Sequence, residues 1–138
     1  VVHGKELELS TQGFSDILDI TSAVEEAVGE SRVREGLVNV AVIGSTASIS
    51  TIEYEPALVE DLKEQLEKLI PHTLASRHSA TWGDDNGFSH MRATLMGPST
   101  TLAIADGRIV LGTWQQIVVI DHDNRARKRR VRIQVMGE

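Results

Sequence analysis

Polar and apolar residues alternate over residues 5–10, the period of a strand with one face buried. Thr11-Gln12-Gly13 reads as a turn, and residues 14–20, with Ile17 and Leu18 as apolar members, predict a second strand. The period then changes. Thr21 or Ser22 suits a helix cap, Ser22 with Glu25 fits a reciprocal capping box, and Ala23, Val24, Ala27 and Val28 follow at helical spacing until Gly29 weakens the end. Residues 37–43 are mostly apolar and rich in β-branched side chains, which predicts a central strand. Gly44-Ser45 breaks it, and residues 46–52 are again β-prone. Pro56 fits the first turn of a second helix, where its missing N–H costs nothing. Leu58, Leu62, Leu66 and Leu69 recur along one face of that helix, charged residues fill the other, and Pro71 ends it.

Residues 72–89 show no convincing period and predict a long irregular segment, of the kind that often carries function. From His90 onward the pattern predicts strands throughout: residues 90–96, 100–104, 108–111, 114–122 and about 128–136. Asp106-Gly107 is a strong hairpin signal between the second and third of these. Strands that cluster instead of alternating with helices predict a single α+β domain over residues 1–138, with largely antiparallel sheet and two helices.

Composition narrows the function classes. Aromatics make up 4% of the chain, so the core must be aliphatic. The absence of cysteine removes disulfides, thiolate nucleophiles and zinc-finger sites. No apolar run reaches the length of a membrane span, and the N-terminal residues lack a signal-peptide pattern; a cytoplasmic location and no membrane partner are the expectations. Residues 1–70 carry 14 acidic and 5 basic side chains, and residues 71–138 carry 6 and 9. The overall charge of −6 disfavours general nucleic-acid binding. The milder basic half suits a small anionic ligand. Phosphate-loop, dinucleotide and serine-hydrolase motifs are absent.

Chemistry concentrates in the irregular segment. His78, Asp84, Asp85, Asn86 and His90 lie within 13 residues, and imidazoles beside carboxylates suit either metal binding or acid–base work. The spacing matches no standard zinc motif, and the bland alternative is a solvated loop with two incidental histidines. Glu53 and Glu55 precede the second helix, where carboxylates are favoured by the helix dipole; alternatively Glu53 reaches a ligand or metal. Ser45 and Thr46 offer hydroxyls to an anion or simply join two strands. Lys128, Arg130 and Arg132 would share one face of the last strand, most simply as the charged protection of a sheet edge. That run has no interleaved aromatics for RNA stacking.

These segments also resemble a known family. Ser45-Thr46-Ala47-Ser48-Ile49, Glu53, His78, Gly83-Asp84-Asp85-Asn86, the block from His90-Met91-Arg92-Ala93-Thr94-Leu95 through Gly97-Pro98-Ser99, and Leu111-Gly112-Thr113-Trp114-Gln115 resemble the YjbQ-like proteins, often labelled secondary thiamine-phosphate synthases. The resemblance implies a trimeric β-sandwich with two helices and a polar pocket near the subunit boundary. It implies a small-molecule enzyme joining a pyrimidine methyl diphosphate to a thiazole phosphate. His78, His90 and Asp84 would then be catalytic. Ser45, Thr46, Asn86, Ser99, Thr113 and Gln115 would bind substrate, and Glu53, Asp84 and Asp85 would hold a divalent metal, Mg²⁺ or Zn²⁺. The alternative is a non-catalytic homotrimer that binds a metal or metabolite. The chain departs from the family pattern at Gly44, where many members carry histidine, and at Ile52-Glu53-Tyr54, where they carry Asn-Glu-Asn.

Overall fold

A computed structural model describes residues 1–138 as eight strands and four helices in a mixed α+β arrangement. The predicted central strand is β3 (Gly36–Ile43), the third of five in a sheet. On one side it pairs with β8 (Arg127–Gly137), which pairs in turn with β1 (Val2–Thr11). On its other side lies β5 (Ser99–Ala105), hairpinned to the short β6 (Arg108–Ile109). The hairpin turns at Asp106-Gly107, both with left-handed φ (52° and 79°), as the Asp-Gly signal requires. A second sheet of three strands places β7 (Gln115–Asp121) between β2 (Asp16–Asp19) and β4 (Ala47–Glu53). Every pairing is antiparallel.

Both sheets contribute to one aliphatic core. Val38, Val40 and Val42 of β3 and Val131, Ile133 and Val135 of β8 meet Ile49 of β4 and Ile117 and Val119 of β7. Val24, Ala27 and Val28 of α1 (Thr21–Ser31) cover them. The capping box does not form: the Thr21 N–H and hydroxyl both donate to Asp19, which supplies the acceptor from the preceding strand. Helix α2 (Pro56–Leu69) begins at its proline and stops before Pro71, as predicted, with Glu55 accepting from the Leu58 N–H. Its leucine stripe is only partly covered. Leu66 is buried, whereas Leu69 is 70% exposed.

Two predictions fail together. Residues 72–89 are not wholly irregular, since they contain α3 (Arg77–Trp82) and the start of α4 (Gly87–Met96). Residues 90–96, read as a strand, belong to that fourth helix. Its inward residues are Phe88, Ser89, Arg92 and Ala93, a helical spacing that the short segment hid behind polar residues. Strand β8 is also no edge. It lies between β1 and β3, and its outward Arg130 and Arg132 face Glu8 and Glu6 of β1 in register. No helix is long and apolar enough to cross a membrane.

Candidate functional site

The α3–α4 hairpin is held by small residues. Ser76 caps α3 through the Ser79 N–H, its hydroxyl donates to the Ser79 hydroxyl, and the Gly87 N–H donates to the same Ser79 oxygen. A Cβ on Gly87 would lie 2.1 Å from the Ser76 oxygen, so the close approach of the two helices requires glycine here. This approach sets His78 of α3 beside His90 of α4, with ring centroids 4.5 Å apart and the rings tilted by 60°. Both rings line a cavity of about 850 Å³ together with Leu74, Arg77 and Met91.

Asn86 stands at the start of α4, where asparagine ordinarily bonds the helix's free N–H groups. Here its side chain does not cap. Its Nδ2 donates to the buried Asp123 carboxylate at 3.3 Å, and its Oδ1 lies 3.1 Å from His78 Nε2. A carboxylate only accepts, so the amide is oriented with Nδ2 toward Asp123 and Oδ1 toward the imidazole. His78 Nε2 must therefore carry a proton and donate it. The Asp84 carboxylate lies 3.4 Å from the same nitrogen, near enough to pair with the ring when it is charged but not hydrogen-bonded to it.

Behind Asn86 lies a network that sequence reasoning missed. Asp121, His122 and Asp123 follow the apolar run of β7 and are fully buried. The Arg129 guanidinium donates through Nε and Nη2 to the two oxygens of Asp121, and Nη2 also donates to Thr46. Thr46 and Arg127 donate to Asp123. Burial alone would raise both carboxyls. For Asp121, hydrogen bonds from Arg129, Thr11 and the Asp123 N–H outweigh it and hold the group below the usual carboxylate range. For Asp123 the Asn124 N–H, Asn86, Arg127 and Thr46 do the same. The Asp121 hydrogen bond raises Arg129 above its ordinary value. The signal for Arg129 was present. The two-residue period puts it on the same face as Val131, Ile133 and Val135, opposite Lys128 and Arg130.

His122 is enclosed by hydroxyls. Ser15 Oγ lies 2.7 Å from Nδ1 and Ser48 Oγ lies 3.0 Å from Nε2. Arg92 donates to Ser15, so the same serine oxygen bridges the guanidinium and the imidazole. Burial, reinforced by the Arg92 charge, lowers its pKa to about 4. Arg92 is itself buried and donates to the Ile70 carbonyl and to Glu67. Ser15 reaches this position at the end of a left-handed run, Gly13-Phe14-Ser15, that packs on the Asp123 carbonyl.

The predicted site residues do not share one place. His78 and His90 line the cavity, Asn86 and Asp84 adjoin His78 without lining it, and Asp85 lies exposed in the linking turn. Thr46 is buried in the charged network behind it. Ser45 is exposed beside Gly44, in a small cleft with Ala93, Thr94 and Pro98. Ser99 is exposed at the start of β5, opposite Ala41. Glu53 and Thr113 share a separate cavity of about 420 Å³ with Tyr54, Glu55 and Trp114. Gln115 is occupied in bonding Thr51 and the Gly112 N–H. Glu53 ends β4 opposite Gln115, whereas Ala47 begins it opposite Asp121. Six residues of strand, roughly 20 Å, therefore separate Glu53 from the Asp123 end where Asp84 lies. The proposed metal set of Glu53, Asp84 and Asp85 is thus divided within the chain, and nowhere do three or more histidine, aspartate or glutamate side chains gather around a point suited to a metal ion. Gly44 has φ 145°, a conformation that favours glycine, and a Cβ there would meet the Arg129 guanidinium at 2.9 Å.

Comparison with known proteins gives a consistent result. The family model described as UPF0047 protein YjbQ-like matches residues 5–138. A UPF0047 protein of Methanothermobacter thermautotrophicus is 37% identical over 137 residues, covering 99% of this chain and 94% of that protein. One from Archaeoglobus fulgidus is 38% identical over 131 residues, covering 95% and 99%. The crystal structure of a YbjQ-like protein of unknown function from Sulfolobus solfataricus superposes with a TM-score of 0.95 at 29% identity, covering 100% of this chain and 99% of the other.

Proposed function

The chain belongs to the UPF0047 YjbQ-like family, and from that premise we propose that it binds a small phosphorylated ligand in the α3–α4 cavity, with His78 and His90 as its acid–base pair. The observation that carries this reading is the close approach of two imidazoles, centroids 4.5 Å apart, on a cavity that also contains Arg77. Neither His90 nitrogen and not His78 Nδ1 bonds to the protein, while His78 Nε2 is committed to Asn86. The Arg77 guanidinium suits phosphate oxygens, which accept charge-assisted hydrogen bonds, and an imidazole edge does so when its ring carries both protons. An imidazole so placed also supplies a proton to a departing phosphate.

Within this reading, the transfer implied by the family label would proceed by attack of the thiazole nitrogen on the pyrimidine methylene carbon. The C–N bond forms as the C–O bond breaks, and diphosphate leaves with the bonding electrons and takes a proton from imidazole. The Arg77 guanidinium on the cavity supports the diphosphate half of this scheme. The divided carboxylates do not fit a resident three-carboxylate metal site, and no step is routed through one.

Calorimetric titration with inorganic diphosphate tests the binding, with and without Mg²⁺. Saturable one-site binding is expected, weakened about tenfold by Arg77→Ala or His90→Ala, the scale of one charge-assisted hydrogen bond. Heat that the variants leave unchanged would refute the assignment.

A second reading, a non-catalytic homotrimeric binder, is favoured by one observation. Leu69, Leu74, Met91 and Leu95 are exposed, and the last two line a cavity of about 460 Å³ that shares His90 and Met91 with the ligand cavity. A second copy covering that face would close the site at a subunit boundary, and the two sheets over one core suit a sandwich.

A further inference from the structure

We propose that Asp123, through Asn86, is the positioning residue that fixes the proton on His78 Nε2 and so reserves His78 Nδ1 for the ligand. This rests on the cavity of His78 and His90 being the ligand site, and it adds the residue that decides which imidazole nitrogen works there.

The inference follows from the direction of three hydrogen bonds. Asp123 is fully buried, and its Oδ2 is occupied by Thr46 and Arg127. Its Oδ1 accepts from the Asn124 N–H at 2.8 Å and from Asn86 Nδ2 at 3.3 Å. Against burial, hydrogen bonds from the Asn124 N–H and Asn86, the Arg127 charge and the Thr46 hydroxyl hold the Asp123 carboxyl below the usual range, and an ionised carboxylate offers no proton for Asn86 to accept. The amide therefore cannot turn over without setting its oxygen against a carboxylate oxygen. Its oxygen stays on His78, whose ring must answer with N–H.

Two features show that this geometry is not incidental to helix capping. Asn86 is fixed at a helix start yet withholds its side chain from the free N–H groups there, while its carbonyl is tied down by the Ser89 hydroxyl at 2.6 Å. Asn124, next to Asp123, donates to the Asp84 carbonyl at 2.7 Å. The same β7–β8 turn thus holds the acceptor of the His78 proton and the backbone of the turn that leads to it. The carboxylate acts at a distance: Asp123 touches Asn86, Thr46, Arg127 and Asn124, not the imidazole.

The test is the tautomer of His78, read from imidazole ¹⁵N shifts in ligand-free protein at a pH where the ring is neutral. The native protein is expected to show the Nε2–H form. Free imidazole side chains also favour that form, so inversion is the decisive result. In Asp123→Asn the oxygen of the new amide is retained by Arg127 and its NH₂ faces Asn86. Asn86 then turns, presents Nδ2 to His78, and the Nδ1–H population should rise at least fivefold. Asn86→Leu, close in size and leaving the cations of Asp123 paired, should return the ring to the free-imidazole mixture of tautomers. It stands as the deciding variant if Asp123→Asn does not fold. A native Nδ1–H form would overturn the proposal, as would a tautomer ratio that neither substitution moves. Because no ligand is present, this result is independent of the diphosphate titration.

Discussion

A single buried residue shows how the fold sets the chemistry of its polar groups. His122 is 0% exposed, and its pKa falls to about 4 against an ordinary value of 6.5. The unfolded chain therefore binds a proton that the folded chain refuses between these values. Folding stability is full above about pH 6.5 and is lost as the solution is acidified toward pH 4. Linkage sets this contribution at about 3 kcal/mol. Urea unfolding at pH 7 and pH 4.5 should show a steeper loss for the native chain than for His122→Gln, which retains a side chain able to bond Ser48. Equal losses would contradict the burial argument. At this scale the sequence was half legible. His78, Asp84, Asn86 and His90 were identifiable as polar groups crowded into a short span. Glu53 was not separable from them, because proximity across a strand of this length depends on pairing that the linear pattern does not disclose. Asp121 and Asp123 sit at the end of a strand, where charge ordinarily means solvent, and only Arg129 facing inward reveals otherwise.

The element that carries the site is the α3–α4 hairpin, and it is the element the sequence concealed. Helix α4 is ten residues long, with Arg92 on its buried face. A buried arginine reads as polar and hides the apolar stripe, although Asn86 before it and Gly97-Pro98 after it are helix start and stop signals. The strands were more legible, since β1, β3, β7 and β8 are long and strongly patterned. Helix α3 has no buried residue and depends on its neighbour for a position. Gly87→Ala would force the Ser76 oxygen away and should release α3 while the sheets persist. Amide hydrogen exchange should then accelerate at least tenfold over residues 77–82, with strands β3 and β8 unchanged. Protection of α3 that survives the substitution would show that the serine–glycine contact does not hold the hairpin.

At the scale of the whole molecule, the two sheets are closed around aliphatic side chains while one face remains apolar outside. Leu69 and Leu95 are each 70% exposed, and Leu95 lines the neighbouring cavity that shares His90 and Met91 with the imidazole cavity. Light scattering at micromolar concentration should give the mass of a trimer, and Leu95→Glu should shift it toward the monomer at 15.1 kDa. A native monomer would remove the reading in which a second copy completes the site. The basic strand gives no comparable surface, because Arg130 and Arg132 are faced by Glu8 and Glu6. The ligand site itself is tested most directly by following all five imidazoles in one NMR titration with inorganic diphosphate. His78 and His90 should move together along a saturating curve, while His3, His72 and His122 stay still. Shifts shared evenly by the exposed histidines, or an unmoved His78 and His90 pair, would contradict the account.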